Sequence, residues 1–253
     1  MPSSFWEHYR HPAKNIPPRK VYDAPDVDLA NMKFYDAPKI DIADVEFVEI
    51  MKQTDRSFLC RARWQDKDCV LKVFIPYKPD TCESPFLTRD LFTNESRAYS
   101  RLKAGGFCER GSVPDFYGVV ENIDPEAKSW QPQLKNFYDK TFPEGLDLEA
   151  RPNGVLIEYI PDLNMIDISN YTEQRAQKLK QLLAEIHKAG ILHFDPYPRN
   201  MLIQGDSDRV LWIDYEHSEI YDPEDSKHPR CFAYESECMH HFMERLVILS
   251  LLV

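Results

Sequence analysis

Three polar residues near the ends of two short apolar segments have the types and spacing that phosphoryl transfer requires. Asp195 and Asn200 lie in residues 193–200, which are His-Phe-Asp-Pro-Tyr-Pro-Arg-Asn, and Asp214 directly follows the apolar run 210–213. A carboxylate can orient and deprotonate an acceptor hydroxyl, while carboxylate and carboxamide oxygens can hold the Mg²⁺ that bridges nucleotide phosphates. We therefore predict that Asp195 positions the acceptor and that Asn200 and Asp214 ligate Mg²⁺. The alternative is an ordinary strand–turn–strand with these residues on its surface.

A helix is predicted directly before this stretch. Apolar residues recur at helical spacing within residues 172–188. They are Leu179, Leu182, Leu183 and Ile186. Asn170 and Glu173 match a capping box, and Gly190 marks the end of the helix. The helix would therefore deliver the chain to residues 193–200.

A lysine interrupts the third of three predicted strands. Period-two alternation predicts a strand at residues 45–50, a looser one at 58–64, a turn at 66–68 and a third strand at 69–74. Lys72 lies in that third strand, where its charge needs a partner if it is buried. The alternative is that Lys72 points to solvent from an edge strand.

A glutamate lies on the apolar stripe of a second predicted helix. Residues 88–102 have the helical pattern, Glu95 is the one charged residue on the stripe, and Gly105 and Gly106 follow as a stop. A buried carboxylate is expected to have a cationic partner. The alternative is a solvated Glu95 at the margin of the stripe.

The spacing H-x-D-x-x-x-x-N followed by I-D-Y-E resembles the catalytic and metal-binding loops of the protein-kinase-like superfamily. Asp214-Tyr215-Glu216 replaces the Asp-Phe-Gly of protein kinases. In this respect the chain is similar to choline-kinase-like and aminoglycoside-phosphotransferase-like enzymes and to small fungal-type kinase-like proteins. The resemblance covers residues 45–250 and implies an α+β, two-lobed protein-kinase-like fold with a shortened C-lobe.

The domain organisation that the resemblance implies has three parts. Residues 1–44 form a Pro-rich N-terminal extension. Residues 45–160 form an N-lobe of β-sheet plus one helix, with an insertion at 121–152. Residues 161–253 form a helical C-lobe that carries the catalytic loop.

The resemblance also assigns roles in binding ATP and Mg²⁺. Lys72 matches the strand lysine that holds the ATP phosphates, and Glu95 matches its ion-pair partner. Residues 154–161 resemble the hinge between the lobes, where backbone groups of Glu158 and Ile160 would bond the adenine edge. Within the catalytic loop, His193 matches a scaffold residue. Arg199 could balance charge near the phosphate or face outward, and the sequence leaves both alternatives open.

The turn that should cover the phosphates departs from the family pattern. Residues 51–57 contain no glycine, so side chains such as Lys52, Thr54 or Ser57 would have to replace backbone N–H groups. The leading prediction is an ATP-dependent phosphotransferase with a hydroxyl acceptor, a small molecule in preference to a protein. One alternative is a pseudokinase that acts as a nucleotide-binding or interaction module. Another is a structural interaction protein that uses the Pro-rich N-terminus.

Composition excludes some other classes of function. The formal net charge of −11 argues against a general binder of nucleic acid or anionic membranes. Six scattered cysteines form no C-x-x-C pair, which favours reduced thiols in an intracellular protein. Residues 1–20 lack the apolar core of a secretory signal, so the cytoplasm is expected, with the nucleus as an alternative.

The two ends of the chain carry further patterns. Residues 231–253 are predicted to form one helix under the catalytic loop, and its apolar end suggests a homodimer as one alternative. Near the N-terminus, the sequence Tyr-Asp-Ala-Pro at residues 22–30 recurs at residues 35–43 with the same aliphatic-Asp-aliphatic-Ala ending. These copies could be extended segments packed on the following domain, or a docking motif for a partner.

Overall fold

The structure is a computed structural model that describes residues 34–54, 56–76, 90–124, 151–205, 207–221 and 229–250. Its first elements are the 3₁₀ helix Ile42–Asp44, β1 (Glu46–Gln53), β2 (Ser57–Trp64), β3 (Lys67–Phe74), α1 (Leu91–Ala104), β4 (Phe116–Val120) and β5 (Asn153–Glu158). Then come β6 (Leu163–Met165), α2 (Glu173–Lys188), β7 (Ile191–Leu192), the 3₁₀ helix Pro198–Asn200, β8 (Met201–Gln204), β9 (Val210–Trp212), β10 (Glu219–Ile220) and α3 (Pro229–Ser250). Most of the predicted insertion and the first Tyr-Asp-Ala-Pro copy lie outside the described residues.

The N-terminal half forms a five-stranded antiparallel sheet in the order β1-β2-β3-β5-β4. Its central strand, β3, is buried over its last six residues. The β2–β3 hairpin turns at Gln65 and Asp66, whose φ angles are 48° and 62°. A two-residue hairpin loop with positive φ at both positions matches the twist of the flanking strands. The predicted turn at 66–68 is therefore wrong, because Lys67 and Asp68 belong to β3.

The glycine-free turn between β1 and β2 is shorter than the sequence predicts. The two strands extend to Gln53 and Ser57, which leaves only residues 54–56 between them. Thr54 Oγ1 accepts the Ser57 N–H at 3.0 Å, and the Thr54 N–H donates to the Ser57 carbonyl at 2.8 Å. A threonine hydroxyl thus closes this turn, because it can bond backbone groups close to it in sequence.

The helix that carries Glu95 packs against this sheet. Asp90 caps α1 by accepting the Thr93 N–H at 3.0 Å, so the helix begins at Leu91 and not at the predicted residue 88. Residues 88 and 89 lie outside the described chain. The buried face is the predicted stripe, and Gly105 ends the helix as expected. Its buried apolar members are Leu91, Ala98, Tyr99 and Leu102.

The predicted capping box of α2 is wrong. Thr172 is the cap, with its side chain accepting the Arg175 N–H at 3.1 Å. Asn170 instead accepts the Asp167 N–H in the preceding turn, and Glu173 accepts the Tyr171 hydroxyl. Asn170 is therefore committed to a local turn, while Thr172 is next to the first helical residue.

Gly190 links α2 to the strand before the Asp195 loop, and its backbone packs closely against Tyr221. It has φ of +72°, and a Cβ there would lie 2.5 Å from the Tyr221 carbonyl oxygen. The Tyr221 N–H donates to the Gly190 carbonyl at 2.8 Å, beside the β7–β10 pair. Only glycine allows both this backbone conformation and this approach.

The second lobe combines helices with small sheets. Strands β6, β8 and β9 form one sheet, and helix α3 packs against α2. As predicted, α3 buries Met239, Met243 and Leu246, although it begins at Pro229 instead of residue 231. One buried hydrophobic cluster continues from the sheet through α1 and α2 to α3. The predicted α+β, two-lobed architecture is confirmed. Among the described residues, no helix is both long and apolar enough to span a bilayer.

Candidate active site

The ammonium group of Lys72 lies between three carboxylates. Its Nζ is 2.5 Å from Glu95 Oε2, 2.5 Å from Asp214 Oδ1 and 2.9 Å from Glu216 Oε2. Lys72 and Glu95 are 5% and 1% exposed, so neither reaches solvent. The structure therefore joins β3, α1 and the segment after β9 at one ammonium. We call Lys72, Glu95, Asp214 and Glu216 the lysine cluster.

One ammonium cannot neutralise three carboxylates, and the pKa values reflect this. Burial raises the pKa of Glu95, nearby Lys72 opposes this, and Asp214 and Glu216 add to it, so the pKa rises to about 8. Burial lowers the pKa of Lys72, but the three carboxylates raise it by more. Burial is the largest cause for Glu95, and the neighbouring carboxylates add to the upward shift of both pKa values. The lysine cluster is thus an electrostatically incomplete site that favours an additional cation.

Asp214 keeps its charge in this environment. Burial raises its pKa, but Lys72 lowers it by Coulomb attraction and by a hydrogen bond, and His193 and Lys52 lower it further, so the net direction is downward. Lys52 lies on β1 beside the glycine-free turn. Lys52 is thus a strand residue whose positive charge contributes to the lowered pKa of Asp214. The hydroxyls of Thr54 and Ser57 instead contact each other at 3.0 Å.

Glu216 is a member of the site that sequence reasoning missed. It was treated only as the replacement for a family glycine, yet its side chain points at Lys72. Its Oε2 is buried and close to Nζ, but accepts no hydrogen bond with good geometry. Asn94 of α1 donates to the Glu216 carbonyl at 3.1 Å and holds this segment in place. The sequence offered one clue to Glu216: it is a charged residue two positions beyond Asp214, after a buried strand.

The lysine cluster has the geometry of a possible cation site. One oxygen from each of Glu95, Asp214 and Glu216 lies within 4.8 Å of the others. The side-chain amide nitrogen of Asn200 donates to Asp195 Oδ2 at 2.7 Å, and the role of Asn200 as a metal ligand stays a prediction. The Asn200 backbone carbonyl accepts the Ile213 N–H at 3.1 Å. Asn200 is therefore bonded to the residue directly before Asp214.

Asp195 is oriented by residues of its own loop. Arg199 Nη2 donates to its Oδ1 at 2.5 Å, and Asn200 Nδ2 donates to its Oδ2 at 2.7 Å. Asp195 is buried, whereas the Arg199 side chain is 56% exposed. Arg199 therefore does not simply face outward, and its predicted role near the phosphate stays a prediction. Arg199 is paired with the carboxylate that we predicted to position the acceptor.

The Asp195 loop is also held by residues behind it. His193 is fully buried and its Nε2–H donates to the Ile213 carbonyl at 3.0 Å, as expected for a scaffold residue. Glu235 of α3 accepts the N–H groups of His193 and Phe194 at 3.1 and 2.6 Å. It also accepts a hydrogen bond from His187 Nε2 of α2 at 2.5 Å. Sequence reasoning missed Glu235, although it placed its helix under the loop.

The predicted hinge residues lie at and just beyond the end of β5. The Glu158 N–H donates to the Asp115 carbonyl at 2.8 Å, and its side chain accepts the Asp115 N–H at 3.1 Å. Ile160 is buried two residues beyond the end of β5. Because the Glu158 N–H is already bonded, only its carbonyl could serve a ligand. The adenine contacts of Glu158 and Ile160 stay a prediction.

The fold and this cleft together define a protein of kinase-like architecture. An antiparallel sheet with a single helix presents a buried Lys–Glu pair, and the second lobe contributes Asp214 to it and joins the Asp195 loop to the residue before Asp214.

Comparison with protein families agrees with that class. Residues 150–220 match the family described as WaaY, lipopolysaccharide core biosynthesis protein. The match covers less than a third of the chain, but it runs from β5 to β10 and includes Asp195, Asn200 and Asp214. WaaY belongs to the protein-kinase-like superfamily, so the match supports a kinase-like fold. It does not select the choline-kinase-like, aminoglycoside-phosphotransferase-like or fungal-type groups that the sequence resembles.

Proposed function

We propose that this protein is an ATP- and Mg²⁺-dependent phosphotransferase that acts on a hydroxyl acceptor, a small molecule in preference to a protein. The observation that carries the proposal is the lysine cluster, assembled from three separate elements beside the Asp195 loop. Burying a lysine with three carboxylates costs free energy, and an ordinary strand–turn–strand at the surface would not require it.

The residues present fit the groups that such a reaction needs. Three carboxylates around one ammonium leave excess negative charge, and the buried Glu216 Oε2 lacks a hydrogen bond. Oxygen ligands of this kind suit Mg²⁺. Asp214 and Glu216 would hold the metal, and Lys72 would contact the phosphates of ATP. When bound, Mg·ATP supplies the phosphoryl group and neutralises charge on its phosphates.

The chain's own residues would perform the remaining tasks. Asp195 would orient the acceptor hydroxyl and accept its proton, while Arg199 and Asn200 hold the two carboxylate oxygens in place. Glu95 would hold Lys72 in the cleft. Glu235 would keep the backbone of the loop in position.

The acceptor proposal draws on the family match. The matched family carries the name of a lipopolysaccharide core biosynthesis protein, which agrees with a non-protein acceptor rich in hydroxyl groups. Sugars and small alcohols are therefore the first acceptors to test.

The test is transfer of label from γ-labelled ATP by the wild type and by Asp195→Asn. The substitution keeps an oxygen that can accept from Arg199 or Asn200, but it removes the base, so transfer should fall about 10²- to 10⁴-fold. Asp208→Asn, in an exposed position of the same lobe, is the matched control and should keep full activity. Label that does not depend on Asp195 would refute the assignment.

A second candidate is a pseudokinase that binds a nucleotide without turnover. The observation that favours it is the direct Lys72–Asp214 pair together with the tight, glycine-free turn. Stabilisation of the folded wild type by Mg·ATP, with no Asp195-dependent transfer to any acceptor, would favour this candidate over the enzyme.

A further inference from the structure

The segment that precedes β1 extends the N-terminal sheet. We call residues 34–45 the entry segment. The Ile40 N–H donates to the Val119 carbonyl at 2.8 Å, and the Val119 N–H donates to the Pro38 carbonyl at 3.0 Å. Lys39 forms a parallel bridge with Val119. Since β4 is an edge strand, the entry segment covers backbone groups that the sheet leaves unpaired.

The same segment also binds the back of α1. The Tyr35 N–H donates to the Ser100 carbonyl at 3.2 Å, and Ser100 Oγ donates back to the Tyr35 carbonyl. The Tyr35 ring packs edge-on against Phe116 of β4, and the Lys103 ammonium lies 4.9 Å from its centre. The entry segment is therefore clamped between β4 and the helix that carries Glu95. We call this surface the β4–α1 edge.

Gly118 gives the β4–α1 edge its close fit. A Cβ at this position would lie 2.4 Å from the Pro38 carbonyl oxygen and 2.9 Å from Ile40 Cδ1. The first of these contacts is with backbone, which cannot rotate away as a side chain can. The absence of a side chain at residue 118 is thus a requirement for docking.

The entry segment contains the second copy of the repeat, and the first copy meets the same requirements. Tyr22, Ala24 and Pro25 correspond to Tyr35, Ala37 and Pro38. Val27 corresponds to the buried Ile40, Asp28 to Asp41, and Leu29 to Ile42. Three of the four hydrogen bonds use only backbone atoms of the segment and of its site, and the Ser100 bond uses only a backbone carbonyl of the segment. Any chain that has this spacing can form all four.

One contact distinguishes the two copies. Lys39 Nζ lies 2.5 Å from Glu121 Oε2, whereas the first copy has Asp26 at this position. If the first copy docked, the attraction between Lys39 and Glu121 would be replaced by repulsion between Asp26 and Glu121. The pair is exposed, so it biases the choice by about fivefold at most. The charge explains why residues 35–43 are the resident copy.

We propose that the β4–α1 edge is a docking site for the repeated sequence, and that residues 22–30 of the same chain are its second occupant, exchanging with residues 35–43. The repeat is offset by thirteen residues, so after the exchange residues 31–45 would connect the docked copy to β1, thirteen more than the two that connect the resident copy. Residues 22–30 lie outside the described chain. The proposal rests on the docked copy and the repeat, and it does not depend on the proposed phosphotransferase activity.

The test is hydrogen exchange by mass spectrometry on the full chain, following peptides that cover residues 20–33 and 34–45. In Tyr35→Ala, exchange of residues 34–45 should accelerate while that of residues 20–33 slows at least about threefold. Tyr22→Ala alone should change neither peptide. Because the copies substitute for one another, the double variant should lose more melting temperature than the two single variants together. Gly118→Ala should expose both copies.

Glu121→Lys provides a second, surface variant that keeps the fold. It should repel Lys39 and attract Asp26, so protection should move from residues 34–45 to residues 20–33. Unchanged exchange of residues 20–33 in both Tyr35→Ala and Glu121→Lys would overturn the proposal, as would strict additivity of the two tyrosine substitutions. Slowing that increases with protein concentration would also overturn it, because the occupant would then come from another molecule.

Discussion

The lysine cluster and the Asp195 loop are neighbours, joined by hydrogen bonds of Asn200 and His193 to Ile213, but they are built in different ways. Lys72, Glu95 and Asp214 come from elements far apart in sequence, and they meet only because β3, α1 and the segment after β9 pack together. Asp195 receives its side-chain hydrogen bonds from Arg199 and Asn200, four and five residues away. The first site is therefore a product of tertiary packing, and the second is largely local, with Glu235 as its distant support. Substitutions in the first region should therefore cost more stability than substitutions within the loop, which should act mainly on activity.

The largest stability effect should come from Lys72→Met. It removes the only ammonium of the lysine cluster and leaves three carboxylates without it, which should lower the free energy of unfolding by about 3–5 kcal/mol. Glu216→Gln reduces the excess negative charge of the lysine cluster by one, so the free energy of unfolding should change by no more than about 1 kcal/mol. Chemical denaturation of both variants measures the difference.

Lys67→Met is the matched control for Lys72→Met, because Lys67 is exposed on the same strand. It should leave stability nearly unchanged. Equal losses for Lys67→Met and Lys72→Met would show that the carboxylates around Lys72 do not determine its effect.

Glu235→Ala should weaken both regions, since it joins α3 to the loop and to α2. Two backbone N–H groups and His187 would lose their acceptor, which should cost about 3 kcal/mol in stability. If the loop performs transfer, kcat should fall at least about tenfold, with KM for ATP unchanged. Glu235→Gln should recover part of both losses.

Glu244→Ala, at an exposed site on the same helix, controls for general effects on α3. A Glu235→Ala protein that is less stable but has the wild-type kcat would show that Glu235 supports the fold without positioning the loop.

The smallest stability effect should come from Arg199→Met. Its guanidinium is half exposed, so the melting temperature should change by about 1 °C at most. The loss of the bond to Asp195 should nevertheless lower kcat about tenfold. Arg151→Met is the control, because Arg151 has the same exposed fraction and pairs with Asp124 far from Asp195. Equal kcat values for the two variants would remove Arg199 from the positioning of Asp195.

The sequence predicted those parts of the site in which a charged residue interrupts an apolar pattern, because such a residue needs a partner of opposite charge when it is buried. Lys72 interrupts an apolar strand and Glu95 an apolar stripe, so burial and pairing were both expected, and the ion pair between them is confirmed. The buried faces of α1 and α2 also followed from periodicity, whereas the α+β architecture followed from the resemblance to the protein-kinase-like superfamily.

Other members of the site could not be predicted in this way. Arg199, Glu216 and Glu235 lie at positions where a charged residue could equally face solvent. Whether each side chain faces solvent or the site depends on how a neighbouring element packs against it. Hydrophobic periodicity contains no information about that packing. The same limit applies to caps, where Asn170 and Thr172 are both acceptable by type and only backbone geometry chose Thr172.

By itself, the sequence indicated which residues are proposed to do the chemistry, where the longer strands and helices form, and where charge must be buried. Residue type and periodicity suffice for these, because they depend on local propensity and on the cost of burying apolar or charged groups. Only the tertiary structure decided that three carboxylates share one ammonium and that Glu235 holds the catalytic loop from behind. Such contacts depend on distances between segments brought together by packing, and these distances are set by the whole core.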